Sequence, residues 1–404
     1  RGWCYFELAR LWGNVPLIVT PVSPSEVKGI GQSTPREIIE TVVIPDLTEA
    51  KNKLPYKEQM VSASGSSISS EGRADKMAAE AMLARVYMTL AGSPYNDSNA
   101  KSLAKTQLEN ILNYSVANGD KYWAPTLDEW RKQWMPSTDY YNKYSIFAIQ
   151  HRTNENRNYL IFNFSPGLPP SYTSRRIFGN SIWVEKTLEY EFERTFSNGK
   201  KDGRGIGFTI LEGYEEEPNY PAYTNDRENV ILEDGTTVEV YTKTMFYKYL
   251  PSKPKLAELG MSFDESSMAG DYDWPVNFPI LRLEDMMLLY AELLADEGNV
   301  VEAMYYVNKI RERAGCDPET ASTSADALRL IKRERRVELA GEGIRWFDLV
   351  RYGEWQSAIT RMFDNYNNPD GTDKSELKNG RYLYPIPLDQ MNAVPGLYSQ
   401  NEGY

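Results

Sequence analysis

The chain has 404 residues, with 45 Lys+Arg against 57 Asp+Glu, a formal net charge of −12 and a pI near 4.9. That balance argues against nucleic acid or an anionic membrane surface, which are bound through clustered Lys and Arg. A single histidine, His151, excludes multi-histidine zinc and iron sites, and Cys4 and Cys316 allow at most one disulfide.

The opening, Trp3 to Trp12, has helical spacing with Trp3, Phe6, Leu8 and Leu11 near one face and Gly13 as its stop. It reads as the middle of a helix, so the natural protein is expected to extend further N-terminally and to carry any export signal or anchor cysteine there. Val15-Pro16-Leu17-Ile18-Val19 is an apolar extended segment. Thr34-Pro35-Arg36-Glu37 predicts a helix start, with Thr34 as cap and Pro35 in the first turn, running to about Lys53 with a bend at Pro45. Helices are also predicted over 73–90, rich in small residues that let a neighbour approach closely, and over 100–112. No run of about 18 apolar residues occurs.

From about Asn113 to Pro279 the texture changes. Gly, Pro, Asn, Asp and Tyr interrupt the chain every few residues, and only short strands are predicted, at 144–150, 230–232 and 238–241. The segment is too aromatic to be disordered. Helices return at 282–296 and 300–314, a hairpin broken at Glu297-Gly298-Asn299, with Ala291 and Ala303 at the spacing of a tetratricopeptide pair and Gly315 as its end. The last long helical stretch, 325–352, is expected to break at Gly341 and Gly343. The fold class read from this is mainly α: a tetratricopeptide-like helical-pair scaffold with a large loop-rich, strand-poor insertion. Three stretches follow, 1–112, 113–279 and 280–404, the middle one carrying the ligand site.

Several motifs invite chemistry. Glu334, Glu338 and Glu342 share one helix face, as paired catalytic carboxylates would, but Arg335, Arg345 and Arg351 crowd them and lower carboxylate pKa values. A structural ion-pair network, with Trp346 and Phe347 in the core, is the expected reading. Gly203-Arg204-Gly205-Ile206-Gly207 lacks the strand before and helix after that a phosphate loop needs. His151 is read as a structural or surface residue. The oxygen-rich stretch from Asp364 to Asp373 has a calcium-loop flavour, but an EF-hand register would put Tyr366 and Leu377 at ligand positions, so an ordinary turn is expected. No catalytic residue, metal site or cofactor is assigned; structural calcium is kept only as a minor alternative.

Aromatic residues are the positive signal. Trp123, Trp130, Trp134, Tyr140 and Tyr141 cluster among prolines and acids, Tyr172 follows Pro169-Pro170, and Trp274 precedes Pro275. Flat rings beside hydrogen-bonding groups suit the apolar faces of sugars. These seven residues form the predicted ligand platform.

Together several motifs resemble the SusD/RagB family of surface glycan-binding lipoproteins from Bacteroidetes. They are Tyr5-Phe6-Glu7-Leu8-Ala9-Arg10-Leu11-Trp12-Gly13-Asn14-Val15-Pro16-Leu17, Gly72-Arg73-Ala74-Asp75, Asn308-Lys309-Ile310-Arg311-Glu312-Arg313-Ala314-Gly315, Glu342-Gly343-Ile344-Arg345-Trp346-Phe347-Asp348-Leu349 and Tyr384-Pro385-Ile386-Pro387. Asn14 stands where the family usually has Asp. The resemblance implies a non-catalytic, tetratricopeptide-based protein, lipid-anchored at the outer membrane and facing outward. It also implies a SusC-like TonB-dependent transporter as partner and an oligosaccharide or polysaccharide as ligand. Some relatives are thought to handle peptides, so a peptide-binding or protein-binding scaffold is the alternative. No ligand-contacting residue carries over, because the family's motifs are scaffold.

Overall fold

The computed structural model describes the chain except residues 63, 68–71, 137–142, 157, 159–166, 177–182, 221, 224–225 and 366–380. Tyr140, Tyr141 and the oxygen-rich stretch from Tyr366 to Asp373 lie outside the described residues. Helices dominate, and the strands are short antiparallel pairs. The compact units do not follow the three consecutive stretches expected from sequence. One gathers 1–61, 75–107 and 346–404; the other holds 62–74 and 108–345.

In the first unit, helix Gly2–Trp12 ends at Gly13, whose φ is 68°. Pro35–Ile38 starts as the sequence says: Thr34 accepts the Glu37 amide and Pro35 sits in the first turn. The bend expected at Pro45 takes the form of a π turn, Ile39–Val43, leading into helix Ile44–Lys53. Proline has no N–H to give to the turn before it, and a widened turn accommodates the lost bond. Helix Lys76–Ala91 packs against this one and is buried on nearly all sides, as its alanine-rich sequence permits. Asp75 caps it, accepting the Ala78 amide at 2.8 Å. Helix Arg345–Tyr352 also belongs here. Trp346 and Phe347 are half-buried rather than core residues: the Trp346 indole donates to the Tyr382 carbonyl at 3.0 Å, and the Arg10 guanidinium lies 3.5 Å from the Phe347 ring centroid.

The second unit is built on helix Leu283–Asp296, buried from Leu283 to Ala295. It forms the predicted hairpin with Val300–Arg313, and Ser324–Glu338 packs on both. Ala291 and Ala303 are fully buried, which lets the paired backbones approach closely. The stretch after Glu338 leaves the helix at Gly341 and Gly343, both at positive φ, where glycine is favoured. Strand Ser145–Ile149 pairs with Phe278–Arg282, Ile210–Leu211 with Met245–Phe246, and Arg227–Ile231 with Thr237–Tyr241. Sequence reading missed the short helices Leu127–Lys132, Lys186–Glu193 and Lys253–Glu258, which are too brief to show a period.

Between these elements lies a charged core. Glu338 is fully buried and accepts from the Trp130 indole at 2.9 Å, Arg204 at 2.8 Å, Arg282 at 3.0 Å and Arg313 at 2.8 Å. Arg204 also binds Asp202 and Glu334, Arg282 binds Glu342 through two nitrogens, and Lys248 donates to Glu342 at 2.7 Å. Burial alone would raise the Glu338 pKa, but Arg313, Arg282 and Arg204 outweigh it and hold the carboxylate well below its ordinary range. The Glu334/Glu338/Glu342 face is therefore an ion-pair network, as its arginines suggest. The glycine-rich 203–207 turn serves it. A Cβ on Gly205 would lie 2.6 Å from Phe192 Cβ, so the absence of a side chain there lets Arg204 enter the core.

Candidate functional site

The structure corrects most of the predicted platform. Trp130, Trp134 and Trp274 are fully buried and Trp123 is 8% exposed. A ring without an exposed face cannot stack on a sugar. The charged core explains their burial. Lys248 Nζ sits 4.1 Å from the Trp134 ring centroid and 5.2 Å from Trp130, while the Arg313 guanidinium lies 4.6 Å from Trp123. Their π faces stabilise buried cations instead. Trp274 packs on Phe263 at 5.5 Å between ring centroids, and its indole donates to the Asp271 carbonyl.

Tyr172, unlike these rings, keeps part of its surface exposed. It is half-buried, held by a turn in which its amide donates to the Pro169 carbonyl at 2.9 Å, and its own carbonyl accepts the Lys253 amide. Its ring begins a strip that sequence reading did not assemble. Tyr172 meets Tyr214 edge-on at 6.3 Å, Tyr214 meets Tyr223 at 6.0 Å, and Tyr223 stacks on Trp183 at 6.4 Å with planes 12° apart. All four rings are partly exposed and rest on the hydrophobic core of the second unit, with Tyr172 touching buried Tyr247 at 6.1 Å.

Backbone pairing sets this geometry. Tyr214 and Tyr223 face each other in an antiparallel bridge, with the Tyr223 amide donating to the Tyr214 carbonyl at 3.0 Å. Gly213 makes the close approach possible, because a Cβ there would lie 2.5 Å from the Tyr223 carbonyl oxygen. Trp183 is paired with Met245, and the adjoining Val184 amide donates to Thr244 at 2.8 Å. The Tyr223 hydroxyl donates to the Lys243 carbonyl at 2.5 Å.

The strip's chemistry is that of neutral rings. Burial raises the pKa of Tyr172, Tyr214 and Tyr223, that of Tyr223 to about 12, so all three keep their phenolic protons near neutrality. Lys243 Nζ is 5.9 Å from the Trp183 ring centroid, and exposed Glu215 and Glu216 follow Tyr214 directly. The arrangement offers flat apolar faces bordered by hydrogen-bonding groups and two charge signs. Its sequence signal is the run of tyrosines at 214, 220 and 223 interleaved with glutamates and Gly213.

His151 carries no comparable constellation. It is half-buried, with Nδ1 3.4 Å from the Asn156 carbonyl oxygen, and burial lowers its pKa. Cys4 and Cys316 are free thiols, the first exposed and the second buried.

Fold and motifs define a helical-pair scaffold of the SusD type. The chain belongs to the SusD family, whose model matches residues 176–404, more than half of its length. SusD-like protein P38 of Formosa agariphila is 27% identical over 373 residues, covering 87% of this chain and 64% of its own length. The chain thus spans less than two thirds of that relative. A SusD superfamily protein from Parabacteroides distasonis superposes with a TM-score of 0.71 at 21% identity, over 100% of this chain and 77% of that one. A laminarin-binding SusD-like protein does so with a TM-score of 0.62 at 23% identity, over 100% and 77%. Among the described residues, no helix is long and apolar enough to cross a membrane.

Proposed function

We propose that this protein is a non-catalytic, cell-surface glycan-binding protein that captures an oligosaccharide or polysaccharide. It passes the glycan to a SusC-like TonB-dependent transporter in the outer membrane, to which it is itself lipid-anchored. The single observation that carries the glycan reading is the half-exposed strip Tyr172–Tyr214–Tyr223–Trp183. Successive rings about 6 Å apart can follow successive sugar units, each stacking an apolar face while hydroxyls meet phenols and rim charges. The laminarin-binding neighbour of the same fold supports a carbohydrate as the ligand class. A binding rather than catalytic role is supported by family membership, and the buried carboxylates of the Glu338 network are engaged as structural ion pairs.

The test is a glycan panel that includes laminarin, read by calorimetry on the full chain. The wild type should bind at least one glycan, and Trp183→Ala combined with Tyr223→Ala should weaken it about tenfold, matching about 0.5–1.5 kcal/mol for an aromatic contact. Binding that survives the double change would remove the strip as the site. The peptide alternative draws on a different surface: on helix Val300–Arg313, Val301 is 85% and Tyr305 58% exposed. A silent glycan panel with peptide binding lost on Tyr305→Ala would favour it.

A further inference from the structure

Helix Lys186–Glu193, the end of strand Ile210–Leu211 and the hairpin Arg227–Ile231/Thr237–Tyr241 converge on three carboxylates. Glu189 and Glu193 are one turn apart on the helix, and Glu212 follows the strand. One oxygen from each lies within 4.8 Å of the others. Glu193 is already paired: Arg227 approaches both its oxygens, at 3.1 and 3.0 Å, and Lys201 Nζ lies 3.0 Å from one. Glu189 is not. It is fully buried, and apart from the approach of the Tyr241 backbone amide neither of its oxygens has a hydrogen-bond partner among the described residues. Glu212 has one buried oxygen without a partner, while its carboxyl meets that of Glu193 in a hydrogen bond.

A buried carboxylate with so few partners is costly, and two others turned toward it make the cost larger. Something positive must stand among them, either protons or a cation. The pairing of Glu193 leaves Glu189 and Glu212 as the uncompensated groups. All donors are hard oxygens, which select calcium or magnesium over softer metals. Three carboxylates from two elements, with one oxygen of each within 4.8 Å of the others, can enter the irregular shell of six to eight oxygens that the larger ion takes.

We propose that Glu189, Glu193 and Glu212 bind a calcium ion that ties helix Lys186–Glu193 to the strand before Gly213. Two of the strip's rings flank these ligands in sequence: Tyr214 comes two residues after Glu212, and Trp183 stands three before Lys186. The ion thereby fixes the backbone segments that present those rings.

The experiment titrates calcium chloride into the chelator-treated full chain at pH 7.5, by calorimetry and by thermal unfolding, with magnesium chloride as comparison. One calcium per chain and a raised Tm are expected, with magnesium weaker. Glu189→Gln and Glu212→Gln, which keep shape and remove charge, should each weaken calcium binding about 100-fold or more. Circular dichroism confirms that each variant folds. No calcium binding at millimolar concentration overturns the proposal, as does binding unchanged in both variants. A wild type indifferent to calcium, whose stability falls from pH 5 to 8 and is flattened by Glu189→Gln, also overturns it, because the carboxyls would then be held by protons alone. None of these readouts depends on a glycan, so failure here is distinct from failure of the strip.

Discussion

Two sets of aromatic rings in the same loop-rich stretch meet different fates. Trp130 and Trp134 lie inside the second unit with Lys248 close to both rings, and the Trp130 indole is spent on Glu338. Trp183 and Tyr223 stack on each other at the edge of that core and keep part of their surface. Both pairs are large aromatic rings from the stretch whose sequence is rich in turn residues. What separates them is the presence of buried cations on neighbouring segments, which claim the π faces of the first pair. An aromatic surplus therefore points to exposed platforms only after the cations have taken theirs.

The sharpest way to break this contrast is to remove the charge at its centre. Glu338→Ala leaves Arg204, Arg282 and Arg313 facing one another without their shared carboxylate and should cost about 3–5 kcal/mol in urea unfolding. A loss under about 1 kcal/mol would mean that the network does not hold the core. Trp130→Phe removes the indole donor to Glu338 and part of a fully buried ring, and should cost at least about 1.5–3 kcal/mol by the same measurement, with glycan affinity unchanged.

The acid limb sharpens the same point. The folded Glu338 pKa lies below its unfolded value, so its contribution is complete above about pH 4.3 and is lost as the pH falls toward the folded value. Stability should decline by up to about 1.4 kcal/mol per pH unit there, and Glu338→Gln should remove that part of the slope. At the edge, Gly213→Ala should separate Tyr214 from Tyr223, costing about 1–3 kcal/mol through overpacking and weakening glycan binding alongside. Tyr172→Ala, at the end of the strip, should change stability least, by about 1 kcal/mol, while lowering glycan affinity several-fold by calorimetry.

Local signals made the helices legible. Thr34 before Pro35, Asp75 before an alanine-rich run, and Ala291 with Ala303 across Gly298 state their starts, stops and crossings within a few residues. The ion-pair reading of Glu334, Glu338 and Glu342 was equally local, because arginines stand beside them in the chain. The site was not. Trp130 reaches Glu338 across 208 residues of sequence, and Trp183 meets Tyr223 only because separate strand edges bring them together. Periodicity carries no information about such pairings, so burial of the predicted tryptophans could not be read from their surroundings.

The first unit draws on segments as far apart as 1–61 and 346–404. Its opening helix illustrates the dependence: Arg10 lies over Phe347, and the Leu11 carbonyl accepts the Tyr384 amide. The early helices can pack on one another, but the contacts of Gly2–Trp12 with Phe347 and Tyr384 wait until more than three hundred further residues have been made. The second unit has no such delay, since nearly all of its chain is contiguous. The first unit is thus complete only when the last segment of the chain, 346–404, has been made.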